Sequence, residues 1–227
     1  MYGGPGAGSP SGTPKLFDLE RYRIILFDQR GCGRSTPHAS DLATDISLNT
    51  TEHLLRDMEQ LRAQLGVERW LSFGGSWGSA LSVACAERHP ERVSEMLPAF
   101  WLMGRAEVDW SAWEDAVLSL EPHGKPAPFS DRASDDLLAF ARICAHYAAN
   151  NGWLEDGALL RNAGRLAGIP AVIMHGRLDL SCPYDAAWQF AQAWPNAELV
   201  AFDDAGHKGS PAMHDHVRST VARFSVL

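Results

Sequence analysis

The sequence has few cysteines, no long apolar run and no excess of positive charge, and each shortage excludes something. Its four cysteines, Cys32, Cys85, Cys144 and Cys182, contain no CxxC pair, and a chain of 227 residues does not need covalent staples. They read as reduced thiols of a cytoplasmic protein. No stretch approaches the roughly 18 apolar residues of a membrane span. Residues 1–14 are rich in Gly, Pro and Ser and lack the basic start and apolar run of a signal peptide. Twenty basic against 28 acidic side chains leave a net charge of −8, which argues against nucleic acid and anionic membrane as partners. There is no internal repeat and no run of charge. With 45% apolar and 21% charged residues the chain has enough apolar surface to fold, as one large domain or one domain with a small insert.

Apolar runs alternate with helical patterns. Tyr22–Phe27 reads as a buried strand, ended by Asp28 and the glycines of Gly31-Cys32-Gly33. A helix is expected from about Thr51 to Leu65, with Leu54, Leu55, Met58, Leu61 and Leu65 on one face and Gly66 as its stop. Further strands are expected at Arg69–Phe73, Val93–Phe100, Ile169–His175 and Ala197–Phe202. Helices are expected at Trp77–Arg88, Tyr184–Trp194 and Pro211–Phe224. Such alternation implies a mostly parallel sheet covered on both faces, the α/β class. Residues 105–168 show helical patterns only and read as a reduced helical cap inserted into a core of residues 1–104 and 169–227. The Pro-rich Glu121–Ser130 reads as a hinge or surface connection, and Trp101, Trp110, Trp113 and Trp153 as the lining of an apolar pocket near the cap or, for most of them, packing between cap and core.

The sharpest chemical signal is Gly74-Gly75-Ser76-Trp77-Gly78, a G-x-S-x-G that follows a strand and opens a helix. That is the context of a nucleophile elbow. The turn holds the serine in a strained conformation, so its glycine neighbours must lack side chains. A nucleophilic serine needs a base, and the base needs an orienting acid. Asp179 follows the strand that ends at His175, and His207 follows the strand that ends at Phe202. The order Ser, Asp, His is that of α/β-hydrolases. Asp185, Asp203 and Asp204 compete for the acid role, each read alone as a solvated loop residue. His175 reads as a core residue, and His214 with His216 as helix surface rather than a metal pair. Charge developing on the substrate oxygen needs two backbone N–H donors. One is that of Trp77, and the other comes from Gly3-Gly4-Pro5-Gly6. The G-x-G at Gly31–Gly33 lacks the spacing of a phosphate loop.

Together these residues resemble the proline iminopeptidase family of α/β-hydrolases. The resemblance runs through Gly3–Gly6, Tyr22–His38, Asn49-Thr50-Thr51, Gly74–Ser79, His175-Gly176-Arg177, Asp179, Cys182-Pro183, Ala193-Trp194-Pro195 and Ala205-Gly206-His207. It implies a serine aminopeptidase that releases N-terminal proline from small peptides, with Ser76, Asp179 and His207 as the triad. The implied oxyanion donors are Trp77 and Gly4, with Gly3 as the alternative. No metal or organic cofactor is implied. The sequence departs from the family at several places. Tyr2 stands where the glycine loop has a histidine, Cys144 where the cap has a substrate-binding glutamate, and Pro98 lies inside an expected central strand. The family's strand leading into the glycine loop has no counterpart after Met1, which predicts either a gap between Tyr22–Phe27 and Arg69–Phe73 or a re-pairing of the sheet. Two further readings are a hydrolase of small esters or amides with altered specificity, and an incomplete, non-catalytic derivative.

Overall fold

The computed structural model describes residues 3–9, 12–99 and 134–225. The apolar runs form four parallel strands in the order β1 (Trp70–Gly75), β2 (Val93–Ala99), β3 (Ala171–Gly176) and β4 (Ala197–Phe202). Six α-helices are described: α1 (Thr51–Gln64), α2 (Trp77–Arg88), α3 (Asp135–Ala149), α4 (Ala158–Asn162), α5 (Tyr184–Ala193) and α6 (Pro211–Phe224). Their starts follow cap chemistry. The side chains of Thr50, Ser134 and Ser210 each accept a first-turn N–H, and Pro211 occupies a position whose missing N–H costs nothing.

Side chains alternate across the strands, so the sheet has a buried cluster on each face. Met96, Ala171 and Ile173 face α1, α2, α3 and α5, while Leu97, Val172 and Met174 face Val217, Val221 and Phe224 of α6. Pro98 is accommodated inside β2. Its neighbours pair with β1 in unbroken register from Ser72↔Met96 to Gly75↔Ala99, but pairing with β3 is confined to Met96↔Ala171 and Ala99↔Met174. The Met96 N–H donates to Pro170 O on the β3 side. By the two-residue period, the N–H that Pro98 lacks would point the same way, so the proline weakens one ladder and spares the other.

Tyr22–Phe27, expected as a strand, is not one. A strand exists only where its backbone groups find partners, and here none adjoins. Between this segment and Arg69–Phe73 lies a slot of about 350 Å³ lined by both. That is the gap expected from the sequence, and it leaves β1 at the edge of the sheet. Side chains hold the segment instead. The Tyr22 hydroxyl donates to Val221 O at 2.8 Å, and Phe17 meets Tyr22 and Phe73 edge-on. Asp28 accepts from the Ser9 N–H at 2.7 Å and from Arg34 Nε at 2.8 Å. Burial alone would raise the Asp28 carboxyl, but these bonds from Ser9 and Arg34 outweigh it and hold its pKa down to about 2.

In the segment read as a cap, residues 134–168 carry α3, α4 and two short 3₁₀ turns, and α3 packs Ala139, Ile143 and Tyr147 into the core. Residues 105–133, with the Glu121–Ser130 connection, Trp110 and Trp113, lie outside the described residues, as do Phe100, Trp101 and Tyr2. Trp153 packs edge-on against Tyr147, which in turn meets Trp77 at 5.2 Å. Among the described residues no helix is long and apolar enough to cross a membrane.

Candidate active site

Every proposed site residue sits where a strand ends at the carboxyl edge of the sheet or on the loop beside it. β1 turns into α2 through Ser76, which takes φ 53° and ψ −130°. An L-residue held there costs on the order of 1–3 kcal/mol. The turn is possible because Gly74 lies against the Gly78 carbonyl with no room for a Cβ. The Ser79 hydroxyl donates to Gly74 O at 2.8 Å and the Ser79 N–H to Ser76 O at 2.8 Å, which locks the turn. The Trp77 N–H opens α2 and has no partner within the helix, so it and the helix dipole favour negative charge beside Ser76.

Gly3 comes up against this serine. A Cβ on Gly3 would fall 2.5 Å from Ser76 Cβ and 3.1 Å from its Oγ, so only glycine allows the approach. Gly4 and Gly6 have φ of 59° and 93°, and their open faces are filled by Phe140 and Ile143 of α3. The buried Cys144 thiol donates to Pro5 O at 3.1 Å. Thus α3 braces the glycine loop, and the side chain at the family's glutamate position is spent on the loop backbone. The sequence showed the departure at Cys144 but not this contact, which joins residues 139 positions apart.

The candidate acid and base are stitched together by the loops after β3 and β4. Arg177 N–H donates to Phe202 O at 2.9 Å and Leu178 N–H to Ala205 O at 3.0 Å, while Gly176 packs against the Ala205 carbonyl too closely for any side chain. Asp179 Oδ1 accepts the N–H groups of Cys182 at 2.7 Å and Ser181 at 3.0 Å. Its Oδ2 lies 3.0 Å from His207 Nδ1. An ionised carboxylate only accepts, so Nδ1 carries the proton and Nε2 is left as a base. The competing acids lie elsewhere. Asp185 is exposed and accepts from Gln189, Asp203 pairs with Arg177, and Asp204 accepts from Ser210. His175 is buried, with Nε2 2.8 Å from Cys182 O, and its pKa is lowered by burial. His214 is exposed and His216 leans on Phe202. Among the described residues Ser76 Oγ makes no hydrogen bond, so the expected link from Ser76 to the Asp179–His207 pair is not made. Apo sites commonly close this bond only around substrate.

Sequence reasoning did not anticipate Cys182 at the base. Its Sγ lies 3.7 Å from His207 Nδ1. The Cys-Pro after Asp179 was visible, but its approach to a residue 25 positions later was not.

Comparison with known proteins gives the family and the fold. Residues 2–116 match the family model described as the alpha/beta hydrolase fold. A proline iminopeptidase of Xylella fastidiosa is 36% identical over 91% of this chain and 82% of its own length. The chain belongs to the proline iminopeptidase family. Another such relative, from Arabidopsis thaliana, is 35% identical over 92% of this chain and 68% of its own. Among solved structures, a meta-cleavage product hydrolase from Pseudomonas fluorescens superposes with TM-score 0.65 at 19% identity, covering 98% of this chain and 88% of that one. A hydrolase from Oleispira antarctica gives TM-score 0.66 at 16% identity, covering 99% and 89%. At these identities the structures speak for the fold alone. A member of the proline iminopeptidase family with this fold is a hydrolase.

Proposed function

We propose that the protein releases N-terminal proline from small peptides through a prolyl-enzyme ester on Ser76. The observation that carries this reading is the strained Ser76 turn set against the glycine loop. Ser76 Oγ attacks the carbonyl of the N-terminal proline as its proton passes to His207 Nε2. The oxygen that gains charge lies between the Trp77 N–H and those of the Gly3–Gly4 loop. Losing one such donor typically costs about 3–4 kcal/mol of transition-state stabilisation. Asp179 keeps the His207 proton on Nδ1 and stabilises the imidazolium. The C–N bond then breaks as His207 hands its proton to the departing amine, and water activated by the same nitrogen frees proline. No metal or organic cofactor takes part, and the substrate is a small molecule. The four buried cysteines, none of them in a disulfide, support a cytoplasmic setting.

A fluorophosphonate probe tests the nucleophile directly. Labelling of the folded protein on Ser76, lost in Ser76→Ala, is the expected outcome. Turnover of a proline arylamide should fall by about 10⁶ in that variant if the triad acts as a unit. Folded protein that takes no label at Ser76 would overturn the reading.

A further inference from the structure

Cys182 has no part in the proposed relay, yet its thiol is 2% exposed and placed against the base. Asp179, Cys182 and His207 each offer one ligand atom, and these three atoms lie within 4.8 Å of one another. Among the described residues no other trio of metal-ligating side chains converges in this way. We propose that these three side chains form an inhibitory site for a thiophilic divalent cation, with zinc as its representative. The inhibitory part rests on His207 being the base; the binding part does not.

The geometry is close to what such an ion needs. Zinc binds N and O at about 2.0–2.1 Å and S at about 2.3 Å, so neighbouring ligands of a tetrahedral site stand roughly 3.3–3.6 Å apart. Here Asp179 Oδ2 is 3.0 Å and Cys182 Sγ is 3.7 Å from His207 Nδ1. Small rotations suffice to open the first distance. Asp179 Oδ1 is held by two backbone N–H groups, which fixes the carboxylate and leaves Oδ2 for the ion. The His207 side chain is 16% exposed, giving a route from solvent, and three protein ligands leave a fourth position for water. The neighbouring His175 Nε2, 3.9 Å from Asp179 Oδ2, is engaged by Cys182 O.

Binding is proton-linked. The Cys182 thiol releases its proton to solvent, and the His207 proton moves from Nδ1 to Nε2, leaving a neutral imidazole bound through Nδ1. A protonated Nε2 cannot accept the Ser76 proton, and Asp179 no longer orients the ring. Metal and catalysis therefore exclude one another.

Cobalt(II) is the probe, because a bound thiolate gives it a charge-transfer absorption. Titrating the metal-free protein should raise that band with one-to-one stoichiometry, and zinc should abolish it by displacement. The band should be absent in Cys182→Ala and Cys182→Ser, each first shown to melt cooperatively. In parallel, zinc should inhibit proline-arylamide turnover reversibly by chelator. Its inhibition constant should rise by at least about tenfold in both variants, each measured against its own uninhibited rate. No band in the wild-type protein, or a band unchanged in both variants, would overturn the site. Inhibition equally strong in the variants would also overturn it, placing the inhibitory ion elsewhere, for instance at His214 and His216. If the metal-free protein shows neither turnover nor probe labelling, the proposed function fails, while the cobalt titration still decides the metal site.

Discussion

β3 and β4 pair residue for residue from Ala171↔Ala197 to Gly176↔Phe202, and the loops that leave them are bonded to each other. On the other flank β1 turns its outer edge to a slot, and the segment across it, Tyr22–Phe27, forms no ladder. The first flank carries Asp179 and His207; the second ends in the Ser76 turn. A ladder fixes position through many short bonds that form together, whereas the slot side relies on separate side-chain anchors at Tyr22, Phe17 and Asp28. The proposed acid–base pair is thus placed by the stiffer half of the sheet. Ser76 depends on its own tight turn, on β2 and on the glycine loop that α3 braces.

The strongest way to break this contrast is at Gly176. Any side chain there meets the Ala205 carbonyl, so Gly176→Ala must push the two loops apart. Overpacking of this kind costs about 1–3 kcal/mol of stability. Because it separates Asp179 from His207, proline-arylamide turnover should drop by about 100-fold or more. An Ala variant with native turnover would show that the stitched loops do not position the pair. Hydrogen exchange probes the contrast without mutation. Amides of Val172–His175 should exchange only on global unfolding, while those of Arg23–Leu26 exchange near the unprotected rate, a difference of at least about 10³-fold. Equal protection on both flanks would refute it.

The sequence revealed the flank that is locally encoded. Strand, glycine turn and following acid or histidine are signals within a few residues, so Ser76, Asp179 and His207 could be found from Gly74–Gly78, His175–Asp179 and Ala205–His207. Tyr22–Phe27 misled for the opposite reason. Its pattern is that of a strand, but strand formation depends on a neighbour, which no pattern within the segment encodes. The contacts of Phe140 and Cys144 with the glycine loop, and of Cys182 with His207, join distant segments and leave no local signature.

Acid should unpick the slot flank first. Asp28 is held down to about 2, so its contribution is fully present above the ordinary carboxylate value near 3.9 and is lost as pH falls through about 2. Asp28→Asn should therefore flatten the stability curve between about pH 4 and pH 2. The effect is on the order of 1 kcal/mol, reduced by the exposure of Arg34. An unchanged acid limb in denaturant titrations at several pH values would show that the anchor contributes nothing.

The smallest effect distinguishes the flanks by two serines. Ser72, on β1 and lining the slot, is 4% exposed, and its hydroxyl has no hydrogen-bond partner among the described residues. Ser82, on α2, is also buried but donates to Gly78 O at 2.6 Å. An unsatisfied buried hydroxyl is a cost carried by the folded state, while a satisfied one contributes a modest net gain. Ser72→Ala should then raise stability by about 1 kcal/mol, or roughly 2–4 °C in Tm, and Ser82→Ala should lower it by a similar amount. Opposite signs for the same chemical deletion are the point of the pair. If Ser72→Ala destabilises as Ser82→Ala does, the hydroxyl has a partner in solution and the slot is not an unfilled edge.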